Sequence, residues 1–317
     1  KNKKYKIISN DFMTYSFIYQ QVFIKNNKIP KFEILINKEK KISLQNEELF
    51  SSNDDNLKNV LNFLNTLKGK KGYFFNNFAP SGKFKRQYFS NKNAMIIDEA
   101  RDLIGQWFKK KWINENEHYF LICIIIEASD FVANIAGTYG AYLKIWRSMA
   151  LKKIVFNVPL ILDNKLNNKV FNEDSNKLIR KIKGDILYID PPYNSRQYAP
   201  NFHVLETLAC WDKLELKGKT GLRPYEKQTS LYSKKDACVE TFKDLIQNAK
   251  CKYILLSYNN EGIIDSKIIL KILKMKGRVK VFSQQYRRFR TERDHDKRKY
   301  KVPDDVVSEK LYLVECL

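Results

Sequence analysis

Four consecutive residues, Asp190-Pro191-Pro192-Tyr193, bring together the groups needed to prepare an amine on a flat ring for attack. They close the compact apolar run Asp185-Ile186-Leu187-Tyr188-Ile189, which suits a buried parallel strand. Such a strand end places a carboxylate and a proline carbonyl at the carboxyl edge of a sheet, where α/β proteins bind ligands. The two prolines stiffen the turn, and the missing backbone donor leaves a carbonyl free to accept. Asp190 and the Pro191 carbonyl can accept the two N–H bonds of an exocyclic amino group, which draws its lone pair out of ring conjugation and aims it at an electrophilic methyl. Tyr193 can stack on the base. An amine inside a duplex is reached only by flipping the base out, and the aromatic face compensates the lost stacking. The same four residues also make an ordinary tight turn. By chemistry alone they serve adenine N6, cytosine N4 or an RNA adenine equally.

Other candidates are weaker. Asp11 ends the run Tyr5-Lys6-Ile7-Ile8-Ser9-Asn10, which reads as a short buried strand, and by itself reads as a helix N-cap or turn residue. Cys238 and Cys251 lack a preceding proline, which argues against a covalent thiolate mechanism. His203 lies in a helical pattern and reads as structural, and Asp294-His295-Asp296 sits among basic residues as a solvated turn. Five cysteines without CxxC spacing argue against a zinc site or disulfide framework and for a reducing, cytoplasmic setting. No metal is expected.

The chain has 317 residues and a net charge of +23, which points to a polyanionic partner such as double-stranded DNA. Richness in Lys, Asn and Ile offers a compositional explanation for part of that charge. The arginines are harder to dismiss, because five of the twelve fall between Tyr286 and Tyr300. Among them, Arg287, Arg288 and Arg290 are candidate phosphate contacts, although Glu292, Asp294 and Asp296 could pair with them internally. The longest apolar stretch, Phe120–Ile126, is too short to span a bilayer, which takes about 20 residues, and no signal peptide pattern is present.

The elements that must position these residues follow from periodicity. After the strand ending at Asp11, apolar spacing predicts helices near 14–25, 57–67, 91–107 and 118–130. Gly72–Gly82 reads as an aromatic loop, and Gly137–Ala150 as a further helix. Beyond Asp185 strands alternate with helices: a helix at 201–212, then helix 242–249 with strand 253–258, helix 266–275 with strand 278–282, and a last strand at 309–314. This alternation predicts an α/β protein with a three-layer sheet. The helical block at roughly 31–175 interrupts it, so 1–30 with 176–317 would form one domain and 31–175 an insertion.

These segments together resemble the D12-class, Dam-like DNA adenine methylases, and most closely their FokI-type branch. The resemblance rests on Ile8-Ser-Asn-Asp11, Arg86-Gln-Tyr-Phe-Ser90 with Asn93-Ala94 and Ile97-Asp98, Gly137-Thr-Tyr-Gly-Ala-Tyr-Leu-Lys144, Asp190-Pro-Pro-Tyr-Asn-Ser-Arg-Gln-Tyr198 with His203 and Leu205-Glu-Thr207, and Leu256-Ser-Tyr-Asn-Asn-Glu-Gly262. It implies a Rossmann-like, S-adenosylmethionine-dependent sheet with an inserted, mainly helical target-recognition domain, acting on adenine N6 in duplex DNA, either within a restriction-modification system beside a cognate endonuclease or as an orphan methylase. It further implies that Asp11, with Phe12 and Asp190, contacts the cofactor, that Asp11 binds its ribose, and that Asp190, Pro191 and Tyr193 are catalytic. Tyr139, Lys144, Arg196 and Tyr198 become candidate DNA contacts, although the glycines around Tyr139 read equally as a helix start. The family also carries a first strand and a glycine-rich loop ahead of the position of Asp11, and this chain begins at Lys1 without them. The expectation is that the chain is truncated or that another polypeptide supplies the loop, with a DNA-binding remnant without catalysis as the alternative.

Overall fold

The computed structural model describes residues 5–43, 53–287 and 306–317. A short strand β1 (Ile8–Asn10) leads into helix α1 (Thr14–Gln20), which widens into a π-helical turn at Gln21–Lys25. Helices α2 (Glu33–Lys38), α3 (Lys40–Ser43), α4 (Asn53–Asn65), α5 (Tyr73–Phe78), α6 (Asn91–Lys109) and α7 (Glu115–Phe131) precede strand β2 (Lys169–Phe171). Then come α8 (Ser175–Leu178), β3 (Ile186–Ile189), α9 (Tyr198–Asn201), α10 (His203–Cys210) and α11 (Cys238–Asn248). The chain closes with β4 (Tyr253–Asn259), α12 (Ser266–Lys274), β5 (Gly277–Arg287) and β6 (Val306–Cys316). No helix of the described residues is long and apolar enough to cross a membrane. All five cysteines are free.

The chain forms two compact units, one of Lys1–Asn172 with Ala199–Tyr225 and one of Glu173–Tyr198 with Glu226–Leu317. In the first, α7 is buried all round from Phe120 to Ile126, which explains why that stretch is so uniformly apolar. A capping box starts it: Asn114 accepts from the Glu117 amide at 3.0 Å while Glu117 accepts from the Asn114 amide at 2.9 Å. Helix α6 buries Ile96, Ile97, Ala100, Ile104 and Trp107, the stripe its spacing predicts.

Three buried charged side chains close helix ends on other elements. Asp98 of α6 accepts from the amides of Gly72, Phe74 and Phe75 at 3.1, 2.8 and 2.7 Å, capping α5. Arg101, one turn on, donates to the Leu208 and Ala209 carbonyls at 2.7 and 3.1 Å, at the end of α10. Glu206 of α10 accepts from the Thr14 and Tyr15 amides at 3.1 and 3.0 Å, where α1 begins. Each places a charge at the helix pole that favours it.

Several sequence expectations are corrected here. Gly72–Gly82 contains the six-residue helix α5, because Asp98, remote in sequence, caps it. Gly137–Ala150 is an irregular loop ending in a single 3-10 turn at Ser148–Leu151. The buried Asn134 side chain holds it open, donating to the Gln87 and Leu143 carbonyls and accepting from the Arg147 amide, so the groups a helix would pair internally are otherwise engaged. The strand before Asp11 is only partly buried. It pairs in parallel with β2, Ile8 opposite Lys169, in a separate two-stranded sheet.

The second unit holds a four-stranded sheet in the order β3-β4-β6-β5. β3 and β4 are parallel, whereas β6 runs antiparallel to both of its neighbours. Ile189, Ile254, Leu256, Tyr312 and Val314 share one face and pack against Leu245 and Ile246 of α11 and Ile269, Ile272 and Leu273 of α12. The other face presents Ile186 and Tyr188, both exposed, so within its own unit the expected three-layer sheet is two layers. β3 is accordingly buried on one face only.

Asp98 yields a test. Burial raises its carboxyl from the ordinary range to about 6 despite the three amides that oppose the rise. A group whose folded value lies above its unfolded value near 3.9 favours folding while protonated, and that contribution is lost as pH rises through 6. Relative to an Asp98→Asn variant, which cannot titrate there, the wild type should lose about 2–3 kcal/mol of unfolding free energy between pH 4 and pH 7.5. Denaturant melts at both pH values measure this, and a difference independent of pH would contradict it.

Candidate active site

The parallel pairing of β3 with β4, Ile189 opposite Leu256, brings the turns that follow both strands to the same edge of the sheet. One turn is Asp190-Pro-Pro-Tyr193 and the other Asn259-Asn-Glu-Gly262. They are fastened together. The Ile263 amide donates to the Tyr193 carbonyl at 2.8 Å. The Tyr193 ring meets the buried Tyr258 ring edge-on, with centroids 6.4 Å apart and planes at 81°, and the Tyr258 hydroxyl accepts from the Ile264 amide at 3.1 Å. The second turn is in turn tied to β6, because Asn260 donates its amide to the Ser308 carbonyl at 3.1 Å and accepts from the Ser308 amide at 3.0 Å.

Downstream the first turn is held as firmly. Asn194 accepts from the Arg196 amide at 2.9 Å, an Asx turn. The Gln197 side chain pairs with both backbone groups of Ser230, donating at 3.0 Å and accepting at 2.8 Å. Pro191 is buried, whereas Asp190, Tyr193, Arg196 and Tyr198 are exposed. Among the described residues the Asp190 carboxylate takes part in no hydrogen bond or ion pair. The surrounding protein raises its pKa above the ordinary carboxylate value. Burial, then Glu309 and Asp190, push the Tyr193 hydroxyl upward as well, so it stays neutral. The edge thus presents one unpartnered acceptor beside one aromatic ring on a backbone pinned from both sides.

Asp11 lies in the other unit, at the end of β1. Its carboxylate accepts from the Met13 amide at 2.8 Å and the Ser16 hydroxyl at 2.6 Å, an Asx turn just ahead of α1 and not an N-cap, since the Thr14 and Tyr15 amides go to Glu206. Its own amide donates to Phe171 at 3.3 Å, and its carbonyl accepts from Asn172 at 2.7 Å. A carboxylate offers about four acceptor positions. The Met13 amide, the Ser16 hydroxyl and the Phe12 amide draw on them, which leaves capacity for a further hydroxyl donor, and the neighbouring Phe12 ring is exposed. Desolvation raises the Asp11 pKa against the pull of Ser16 and Met13.

The remaining candidates separate. Tyr139 is corrected from DNA contact to core residue: it is fully buried, its hydroxyl donates to Asp130 at 2.8 Å, and its carbonyl accepts from Tyr88. Lys144 is exposed on the loop that Asn134 anchors. His203 is buried 3.0 Å from the Tyr139 carbonyl, and burial lowers it to about 4, which fits its structural reading. Strand β5 includes Arg287, whereas Arg288, Arg290 and Asp294-His295-Asp296 lie outside the described residues. Among the described residues no group of three or more His, Cys, Asp or Glu could hold a metal. Sequence reasoning missed roles for Gln197, Glu206, Tyr258, Asn260 and Gly262. All five lie within or beside the motif segments, but Gln197, Glu206 and Asn260 bond residues remote in sequence, and Gly262 meets the Tyr258 ring only once the turn has folded.

Comparison with known proteins supplies the context. The sequence profile of the D12 class N6 adenine-specific DNA methyltransferases matches residues 1–272. The chain is 40% identical over 295 residues to the Type II methyltransferase M.FokI of Planomicrobium okeanokoites, covering 91% of this chain and 43% of that protein. With the modification methylase StsI of Streptococcus sanguinis it shares 37% over 293 residues, 90% of this chain and 42% of that one. With the Type II methyltransferase M.NlaIII of Neisseria lactamica it shares 38% over 238 residues, 75% and 71% respectively. The chain therefore spans less than half the length of the FokI and StsI proteins. No solved structure matches it.

Gly262 tests how the two turns are held. A Cβ there would sit 2.0 Å from a ring carbon of Tyr258, far inside contact distance. Gly262→Ala should therefore cost about 1–3 kcal/mol of stability through overpacking. Tyr258→Ala in the same chain removes the clash, so the two substitutions should be non-additive by about 1 kcal/mol or more. Chemical denaturation of the single and double variants measures this. Strict additivity would show that the close approach carries no energy.

Proposed function

The chain belongs to the D12 class of N6 adenine-specific DNA methyltransferases, and from that membership we propose that it carries the methyl-transfer site of an enzyme acting on adenine N6 in duplex DNA. The observation that supports this most is the exposed Asp190 carboxylate, free of any protein donor among the described residues, beside Tyr193 on a fastened turn. When an adenine is flipped out of the duplex, the Asp190 carboxylate and the Pro191 carbonyl accept its two amino N–H bonds, and Tyr193 stacks on the ring. The amino nitrogen is thereby held with its lone pair available. S-adenosylmethionine, when bound, supplies the electrophilic methyl. Asp11 fits the cofactor's ribose hydroxyls by its spare acceptor capacity, with Phe12 exposed next to it. Transfer of this kind needs neither a metal nor a covalent enzyme adduct.

The same geometry serves cytosine N4, and family membership favours adenine. Segment 31–175 is assigned to target recognition, with Lys144, Arg196 and Tyr198 as DNA contacts. Because the relatives are type II and modification methylases by name, we assign the activity to DNA modification, alongside a cognate endonuclease in a bacterial cytoplasm.

In the full-length protein, Asp190→Ala should reduce methyl transfer by about 100-fold or more, the scale for losing one group that polarises a reacting centre. Duplex affinity should stay within a few-fold, since phosphate contacts dominate it. In the wild type the acid limb of the rate should lie above that of an ordinary aspartate, because the ionised carboxylate is much the stronger acceptor and burial raises the Asp190 pKa. A tritium-transfer assay over a pH series measures both. Full activity in the alanine variant would overturn the mechanism.

A further inference from the structure

In the first unit an open depression of about 800 Å³ lies between Lys25–Lys31 on one side and Asp163–Asn167 on the other, with Asn116 at its margin. Four lysines line it, Lys25, Lys28, Lys31 and Lys165, against a single aspartate, Asp163. Lys31 pairs with Glu33 at 3.3 Å. The other three make no ion pair among the described residues, and Asp163 is turned onto its own loop, where it accepts from the Lys165 amide at 2.7 Å.

The walls are fixed by asparagines. Asn27 donates to the Leu166 carbonyl at 2.9 Å and accepts from the Asn164 amide at 3.3 Å, stitching one side to the other. The buried Asn168 donates to the Ile24 carbonyl at 2.9 Å and to Asn164 at 3.1 Å, and Asn26 bonds Asn116 at 2.9 Å. On one side the wall begins where α1 widens into the π-helical turn that ends at Lys25. On the other, Lys165 holds a left-handed backbone with φ 57°. A left-handed backbone recurs at Lys85, Lys111 and Lys213, so it does not mark the site by itself. It does give an experimental handle on it.

We infer that this depression is a second DNA-contacting surface, holding phosphodiester groups of the duplex by charge. The inference rests on duplex DNA being the substrate. Lysines are strongly hydrated point charges on flexible stems, suited to a diffuse polyanion, whereas a single small anion is better held by forked guanidinium groups or converging amides. Asn26, Asn27 and Asn116 are committed to shape, which leaves the lysines as the charged groups that meet a ligand. Phosphate recognition carries no sequence information, so this surface contributes affinity and its salt dependence, not target choice.

The test uses the full-length protein and measures duplex binding by fluorescence anisotropy at several salt concentrations, alongside methyl transfer. Lys25→Gln, Lys28→Gln and Lys165→Gln together should weaken binding at least tenfold and lower the slope of log affinity against log salt by about 2–3, since each phosphate left without its lysine lowers it by about 0.9. A Lys165→Gly variant controls for folding, because glycine adopts the left-handed backbone freely. It should melt no lower than wild type yet bind DNA more weakly, and unchanged affinity would remove Lys165 from the surface. If the wild type binds and methylates DNA while the triple variant keeps its slope, this inference fails and the proposed function stands. If the wild type binds no duplex, both fail. If inorganic phosphate alone stabilises the wild type and not the triple variant, while both bind DNA alike, the depression takes a small anion and the DNA assignment is overturned.

Discussion

The parallel register of β3 against β4 is the constraint on which the candidate site depends. Two parallel strands in register must end at the same edge, so the residues that follow them meet whatever else the chain does. The bond from the Ile263 amide to the Tyr193 carbonyl and the packing of Tyr193 on Tyr258 convert that proximity into a fixed geometry. Asn260 extends the tie to β6, and Gln197 anchors the outgoing segment on Ser230. Among the described residues the Asp190 side chain is left unfastened, and it is the group that the proposed chemistry would present. A carboxylate held on rigid backbone needs little reorganisation when its ligand arrives.

The helical unit applies the same logic with buried charge. Asp98, Arg101 and Glu206 each satisfy backbone groups at the end of a helix other than their own. Removing one would strand buried amides or carbonyls in a low-dielectric interior, a larger penalty than deleting a side chain at the surface. Glu206 matters most for the cofactor reading, because it fixes the start of α1, only a few residues beyond Asp11, whose carboxylate bonds the Met13 amide and the Ser16 hydroxyl there. The positions of Asp11 and Phe12 are set by this arrangement.

How much of this was legible in the sequence depended on whether the signal was local. Helices α6, α7, α11 and α12 follow from apolar spacing, and the strand before Asp190 follows from its apolar run and the proline turn. The Asp190-Pro-Pro-Tyr193 turn was readable as a candidate because its acceptors and its ring lie in adjacent residues. Helix α5 was not, since its cap comes from Asp98, far along the chain on α6. The Gly137–Ala150 loop carries a helical pattern but is held open by the side chain of one asparagine. Tyr139 reads as an aromatic contact on a glycine-flanked segment. Its burial depends on Asp130, Tyr88 and Asn201, which no periodicity connects. Gly262 resembles any turn glycine in the sequence, and only the fold shows the Tyr258 ring occupying the space of its missing side chain.

The central claim is that the fastened Asp190 turn directs a methyl group to the exocyclic nitrogen of adenine. The most direct measurement is to let the full-length protein label a mixed-sequence duplex from methyl-tritiated S-adenosylmethionine, digest the product to nucleosides and separate them. The account predicts that the label co-migrates with N6-methyldeoxyadenosine and disappears with the Asp190→Ala variant. Label in N4-methyldeoxycytidine, or label in the adenine product that survives loss of Asp190, would contradict it.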